Sequence, residues 1–263
     1  MTIISNILLQ RQSKCALVPF ITAGYPDLKS TIDALYALDK SGADIIELGI
    51  PYADALADGP IIQESSRIAL NKGVHIDQVI NILELVIPNL NTPIVLFTYY
   101  NPILTKGIEK FLYTSAKSGV KGLIIPDLPL EETDYLIDLC NKYKIELILF
   151  IAPTSSKIRI NAILSKSPGC IYLVSSNGVT GIRSKINIQI NALAKEIKNK
   201  TNKAVILGFG ISNAIQVSQI SKWNIDGIVI GSAFIKTMLN KKPGDAIKSL
   251  GNFCKEIRDA IDQ

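Results

Sequence analysis

The chain has 263 residues, 48% hydrophobic and only 19% charged, which suits one large folded domain and excludes a disordered polyampholyte. Its 28 basic and 23 acidic side chains give a formal charge of +5, but the Lys residues are scattered and no basic stripe or RNA-type aromatic motif exists, so nucleic-acid binding is not expected. No apolar run reaches membrane-spanning length, and the N-terminus has neither a secretory nor a transit pattern, so the expected setting is soluble, cytoplasmic or plastid stroma.

Residues 1–12 are expected to form an extra helical cap. The first β-branched run, CALVPFI, is followed by DLKSTIDALYALDKSG, whose Ile32, Leu35, Tyr36 and Leu38 recur at helical spacing. ADIIELGI, PIVLFTY, GLIIPD, IELILFI, CIYLVS, AVILGFG and DGIVIGS continue the series of apolar runs. Helical segments alternate with them, such as LEETDYLIDLCNKY with Tyr135, Leu136, Leu139 and Cys140 on its apolar side. GDAIKSLGNFCKEIRDAI closes the chain as an amphipathic helix.

Strands this uniformly apolar belong to a parallel sheet covered on both faces. A strand then a helix, eight times, predicts a single (β/α)8 barrel (a TIM barrel) spanning 1–263, with an extra N-terminal helix; an open doubly wound sheet is the alternative. In a barrel the chemistry sits where strands end and the following loops begin.

Those ends say first what is missing. His75 is the only histidine and lies at a helix start, so no metal site of the usual kind is expected. None of the strand ends carries Lys for a Schiff base, and no GxSxG elbow exists. Four separated cysteines without a CxxC pair fit reduced core thiols. The second run contains Glu47 near its end, either facing the helix layer beside a Lys or facing the interior, where an unpaired carboxylate needs a use. Asp54 and Asp58 follow in the adjoining loop, with Pro60 placed to begin a helix.

Glycines close the seventh and eighth runs, at Gly208 to Ser212 and Gly231 to Lys236, where barrels commonly hold phosphate; SSNGVTGIRS after the sixth run looks like a covering loop. Phe20, Phe97, Tyr99, Tyr172 and Phe209 also gather at strand ends and describe a pocket for a flat apolar group. A phosphorylated substrate is therefore expected.

The motifs VPFITAGYPD, ELGIPYADALADGP, YYNPIL, IIPDLPLEE, APTS, GVTG, GFGIS and VIGSA together resemble the tryptophan synthase α subunit family along nearly the whole chain. The resemblance implies retro-aldol cleavage of indole-3-glycerol phosphate to indole and glyceraldehyde 3-phosphate. It makes Glu47 the general acid/base and Asp58 the partner of the indole N–H. It also implies phosphate contacts at Gly181, Gly210, Gly231 and Ser232, pocket positions at Phe20, Tyr172 and Phe209, loop closure through Thr180 and partner signalling through Asp54. No cofactor is implied on this chain; pyridoxal phosphate belongs to an expected β subunit in an α2β2 assembly. Another phosphate-binding barrel enzyme, or a largely non-catalytic activator of a β subunit, are the competing readings. Asp58, taken to lie nearer solvent and turn N–H groups, is expected to stay ionised while burial keeps Glu47 protonated. Where the family reads F-S-D-P, this chain has Tyr52, Ala53, Asp54 and Ala55; Ala55 in place of Pro frees a φ angle.

Overall fold

The computed structural model describes residues 3–11, 13–175, 188–208 and 210–263. Its strands are β1 (Ala16–Thr22), β2 (Ile46–Gly49), β3 (Ile94–Phe97), β4 (Gly122–Ile124), β5 (Glu146–Ile151), β6 (Ile171–Val174), β7 (Val205–Gly208) and β8 (Gly227–Ile230). They pair in parallel and in chain order, and β8 returns to β1, so the sheet closes on itself. The expected (β/α)8 barrel is the observed fold, and the open sheet is not. Nearly every strand residue is buried, as parallel strands between a packed interior and a helix layer must be.

The helices are α1 (Ile3–Gln10), α2 (Leu28–Lys40), α3 (Pro60–Asn71), α4 (Ile76–Val86), α5 (Tyr100–Lys106), α6 (Ile108–Lys117), α7 (Thr133–Lys142), α8 (Lys157–Lys166), α9 (Ile188–Lys200), α10 (Ala214–Ile220), α11 (Ser232–Met238) and α12 (Pro243–Asp262). Strict one-to-one alternation is corrected here: the β2–β3 and β3–β4 crossovers each carry two helices. Local chemistry sets the starts. Asp27, Ser156 and Asn213 each accept an N–H from the first turn they cap, and Pro60 opens α3 as its sequence position suggested. On α7, Leu136 and Cys140 face the core, but Tyr135 is 61% exposed, so it lies off the apolar stripe assigned to it.

Register shows how the strands tilt. Phe20 pairs with Glu47, Glu47 with Val95, Val95 with Gly122 and Gly122 with Glu146, the first residue of β5. A line of paired residues thus runs from the mouth at β1 to the base at β5, which is the stagger a closed barrel requires.

Helix α1 fills that base. Ile4 and Leu8 are buried, and a Cβ added at Gly122 or Gly227 would stand 3.3 Å from Ile4 or 3.2 Å from Leu8, so the glycines make room for the helix. Ser5 donates its N–H and its hydroxyl to the buried Glu146 carboxylate at 3.0 and 2.5 Å, and the Cys170 N–H adds a third bond at 2.5 Å. At the other end of the chain, Arg258 on α12 reaches Asp44 and the carbonyl of Cys15. All four cysteines are free and buried.

Candidate active site

The strand ends converge on a cleft lined by Phe20, Glu47, Asp58, Ile62, Phe97, Tyr172, Gly210, Val229, Gly231 and Ser232, with an empty volume of about 390 Å³. Along β2 side chains alternate between the two faces, so Ile46 and Leu48 face the helices while Glu47 faces the interior. Glu47 is 2% exposed, and its Oε2 has no hydrogen-bond partner among the described residues. The reading of a Lys-paired glutamate on the helix side is therefore excluded.

Asp58 is carried into the same cleft by the loop between β2 and α3. Its N–H donates to the Ala55 carbonyl at 3.1 Å, and the Gln63 amide on α3 donates to the carbonyls of both Ala55 and Asp58, at 3.2 and 3.0 Å. Asp58, expected nearer solvent than Glu47, is so only slightly, both being buried at 4% and 2% exposed. Its side-chain partner is a phenol rather than turn N–H groups, for the Tyr99 hydroxyl donates to Oδ2 at 2.9 Å. That hydroxyl accepts the Ala57 N–H at 3.0 Å. Tyr99 does not line the cleft, so it stands behind Asp58 instead of forming a wall. Asp54 also lies outside the lining and is exposed on the loop beside the exposed Leu56.

Aromatic side chains form the apolar wall. Phe20 and Phe97 meet edge to face at 5.6 Å, and Tyr172 packs on Phe150 at 4.8 Å. A side chain at Gly208 would collide with the Tyr172 hydroxyl. Two lining residues, Ile62 and Val229, were not anticipated; Val229 is on β8 two residues before Gly231, which lies just past the strand end, and that spacing is a signal present in the sequence. Gly210, Gly231 and Ser232 come together as expected. Thr180, Gly181 and Phe209 lie outside the described residues.

Burial governs the charges. It raises Glu47 to about 8, helped by the charge on Asp58, and raises Asp58 to about 6 against the opposing hydrogen bond from Tyr99. Near neutrality Glu47 therefore holds a proton and Asp58 does not. Such a cleft can donate a proton and stabilise a developing positive charge at once. Among the described residues no group of three or more His, Cys, Asp or Glu could hold a metal ion, and no helix is long and apolar enough to cross a membrane.

Comparison with known proteins adds to this geometry. A family model described as tryptophan synthase alpha chain matches residues 7–262. The tryptophan synthase alpha chain of Gracilaria tenuistipitata var. liui is 59% identical over 261 residues, covering 99% of this chain and 97% of that protein. A tryptophan synthase structure from Mycobacterium tuberculosis superposes with a TM-score of 0.90 at 30% identity, covering 100% of this chain and 99% of that one. The Pyrococcus furiosus tryptophan synthase a2b2 complex contains a chain with a TM-score of 0.87 at 35% identity, covering 94% and 98%.

Proposed function

The chain belongs to the tryptophan synthase alpha chain family, and from that premise we propose that Glu47 and Asp58 divide the work of its reaction between them. It is a carbon–carbon lyase that cleaves indole-3-glycerol phosphate to indole and glyceraldehyde 3-phosphate, a late step in tryptophan biosynthesis. The observation that carries the division is two buried carboxylates in one cleft, Glu47 with an Oε2 that has no partner among the described residues and Asp58 with a hydroxyl donated to it, so that burial raises the first further than the second.

The reaction asks for three things: a proton on C3 of the indole, removal of the proton from the side-chain hydroxyl beside it, and a home for the positive charge that the ring holds in between. Protonated Glu47 supplies the first. The carboxylate it leaves takes up the hydroxyl proton as the carbon–carbon bond breaks, so the bonding pair returns to the ring, the aldehyde forms and Glu47 ends protonated. Ionised Asp58 holds the ring N–H and offsets its charge from a buried position. Phe20, Phe97 and Tyr172 bracket the flat ring. The phosphate lies by Gly210, Gly231 and Ser232, where the unpaired N–H groups of the first turn of α11 favour an anion.

This chemistry needs only this chain's own residues, and we assign the chain no cofactor. The relative of known structure from Pyrococcus furiosus occurs in an a2b2 complex, which supports a β subunit, itself the carrier of pyridoxal phosphate, as this chain's partner in an α2β2 assembly. The exposed Asp54 and Leu56, on the loop that also carries Asp58, are the residues we assign to that contact. We place the protein in the cytoplasm or a plastid stroma, on its Ile-, Lys- and Asn-rich composition. Incubation with indole-3-glycerol phosphate, with indole followed by chromatography for the wild type, Glu47→Gln and Asp58→Asn, tests the division of roles; full turnover in either variant overturns it.

A further inference from the structure

We propose that Tyr99 is a positioning residue that aims the Asp58 carboxylate and keeps it ionised through a one-way hydrogen bond, and so sets the lower pH boundary of turnover. The inference rests on the catalytic reading of Asp58 given above and goes one residue further out, to a side chain that lies behind the cleft wall.

The direction of the bond follows from the donor inventory. A phenol has one hydrogen to give and lone pairs to receive. The Ala57 N–H, which can only donate, approaches the Tyr99 oxygen at 3.0 Å and takes a lone pair. The phenol's single hydrogen is left for Asp58 Oδ2, 2.9 Å away. A proton on Oδ2 would meet that hydrogen head on, and a proton on Oδ1 would leave Oδ2 a weaker, uncharged acceptor, so the arrangement favours the ionised carboxylate. Burial and the charge on Asp58 hold the Tyr99 phenol well above its ordinary range, so the hydroxyl remains a donor throughout the working pH range.

The aim is fixed by the ring. Tyr52 stacks on Tyr99 at 5.2 Å with a 32° tilt, and Phe97 meets it edge on at 6.2 Å. Because Ala57 and Asp58 are one residue apart, a single hydroxyl ties both the backbone and the side chain of this turn to the end of β3. Among the described residues, the titratable groups facing Asp58 are Glu47 on β2, Tyr99 after β3 and Tyr172 on β6, and none of the three carries positive charge. With no cation among them, the neutral donor is the group that favours ionisation.

The test is the pH dependence of kcat/KM for indole release by the wild type, Tyr99→Phe, Asp58→Asn and the double variant. Tyr99→Phe should move the acid limb up by about one pH unit, the size of losing one hydrogen bond to the charged form, with activity recovering above the limb. Asp58→Asn should lack the limb, and adding Tyr99→Phe to it should shift nothing further. A Tyr99→Phe variant slowed equally at every pH, with its limb unmoved, would show that Tyr99 only fills space and overturn the proposal. An acid limb that persists unchanged in Asp58→Asn would instead overturn the reading of Asp58 on which the proposal stands. Infrared titration of the substrate-free protein, with the Asp58 carboxyl band identified by its loss in Asp58→Asn, reads the same shift without turnover.

Discussion

The ring of Phe20 occupies the space that a side chain at Gly49 would fill: a Cβ there would stand 2.6 Å from the Phe20 Cζ. Phe20 pairs with Glu47 across β1 and β2, so this ring, the glycine and the buried carboxylate share one corner of the cleft. Gly49→Ala should therefore push the ring into the cleft, costing about 1–3 kcal/mol as an overpacked core does and narrowing the space for the substrate's ring. Thermal unfolding and KM for indole-3-glycerol phosphate check it; an unchanged KM would show that Phe20 does not shape the pocket.

Glu47→Gln should lower turnover by about 10²-fold or more, since the amide keeps the shape of the acid but cannot exchange its proton. It should also change how stability depends on pH. The folded Glu47 holds its proton to about 8 whereas the ordinary value is 4.5. Through that window the folded chain binds more protons than the unfolded one, so stability falls as pH rises. Asp58 adds to the fall between 3.8 and about 6. Melting curves recorded across the window should show a shallower decline in Glu47→Gln than in the wild type; parallel declines would mean that Glu47 is not the buried group being ionised.

For Asp58→Asn the expected loss is chiefly in kcat, because the charge it opposes grows only as the bond breaks. A rise in KM alone would make Asp58 a binding residue. With Asp58 ionising at about 6 and Glu47 at about 8, the wild-type profile should be bell-shaped between those limits. A rate that keeps rising beyond the upper limit would exclude protonated Glu47 as the acid.

The two phosphate-side glycines should part company. Gly210 has φ +82°, a left-handed backbone, so Gly210→Ala should cost about 1–2 kcal/mol of stability whatever it does to binding. A Cβ at Gly231 would meet Ile62 and Phe20 at 3.4 Å, ordinary contact. Gly231→Ala should fold normally and lose affinity for glycerol phosphate, measured by calorimetry; unchanged affinity would move the phosphate elsewhere.

How much of this was readable beforehand differs by residue. The barrel was legible because parallel strands advertise themselves as uniformly apolar runs, and Glu47 because a carboxylate inside such a run needs a reason. The burial of Asp58 was not, since a turn written Ala-Asp-Gly looks the same whether it faces water or is folded under. Nor was the bond from Tyr99, 41 residues away, which depends on how the β2 and β3 ends meet across the mouth. Nor was the setting of Ala55 legible. Its freed φ suggests a slack loop, yet the residue is buried and its carbonyl takes bonds from Gln63 and from the Asp58 N–H.

Helix α1, seated in the base by Ile4, Leu8 and the Ser5 bonds to Glu146, fills the end of the barrel away from the cleft. With that end filled, indole formed beside Glu47 is expected to leave toward the strand ends, where the described cleft lies. A β subunit seated over that rim, as proposed above, would then receive the indole in place of bulk water.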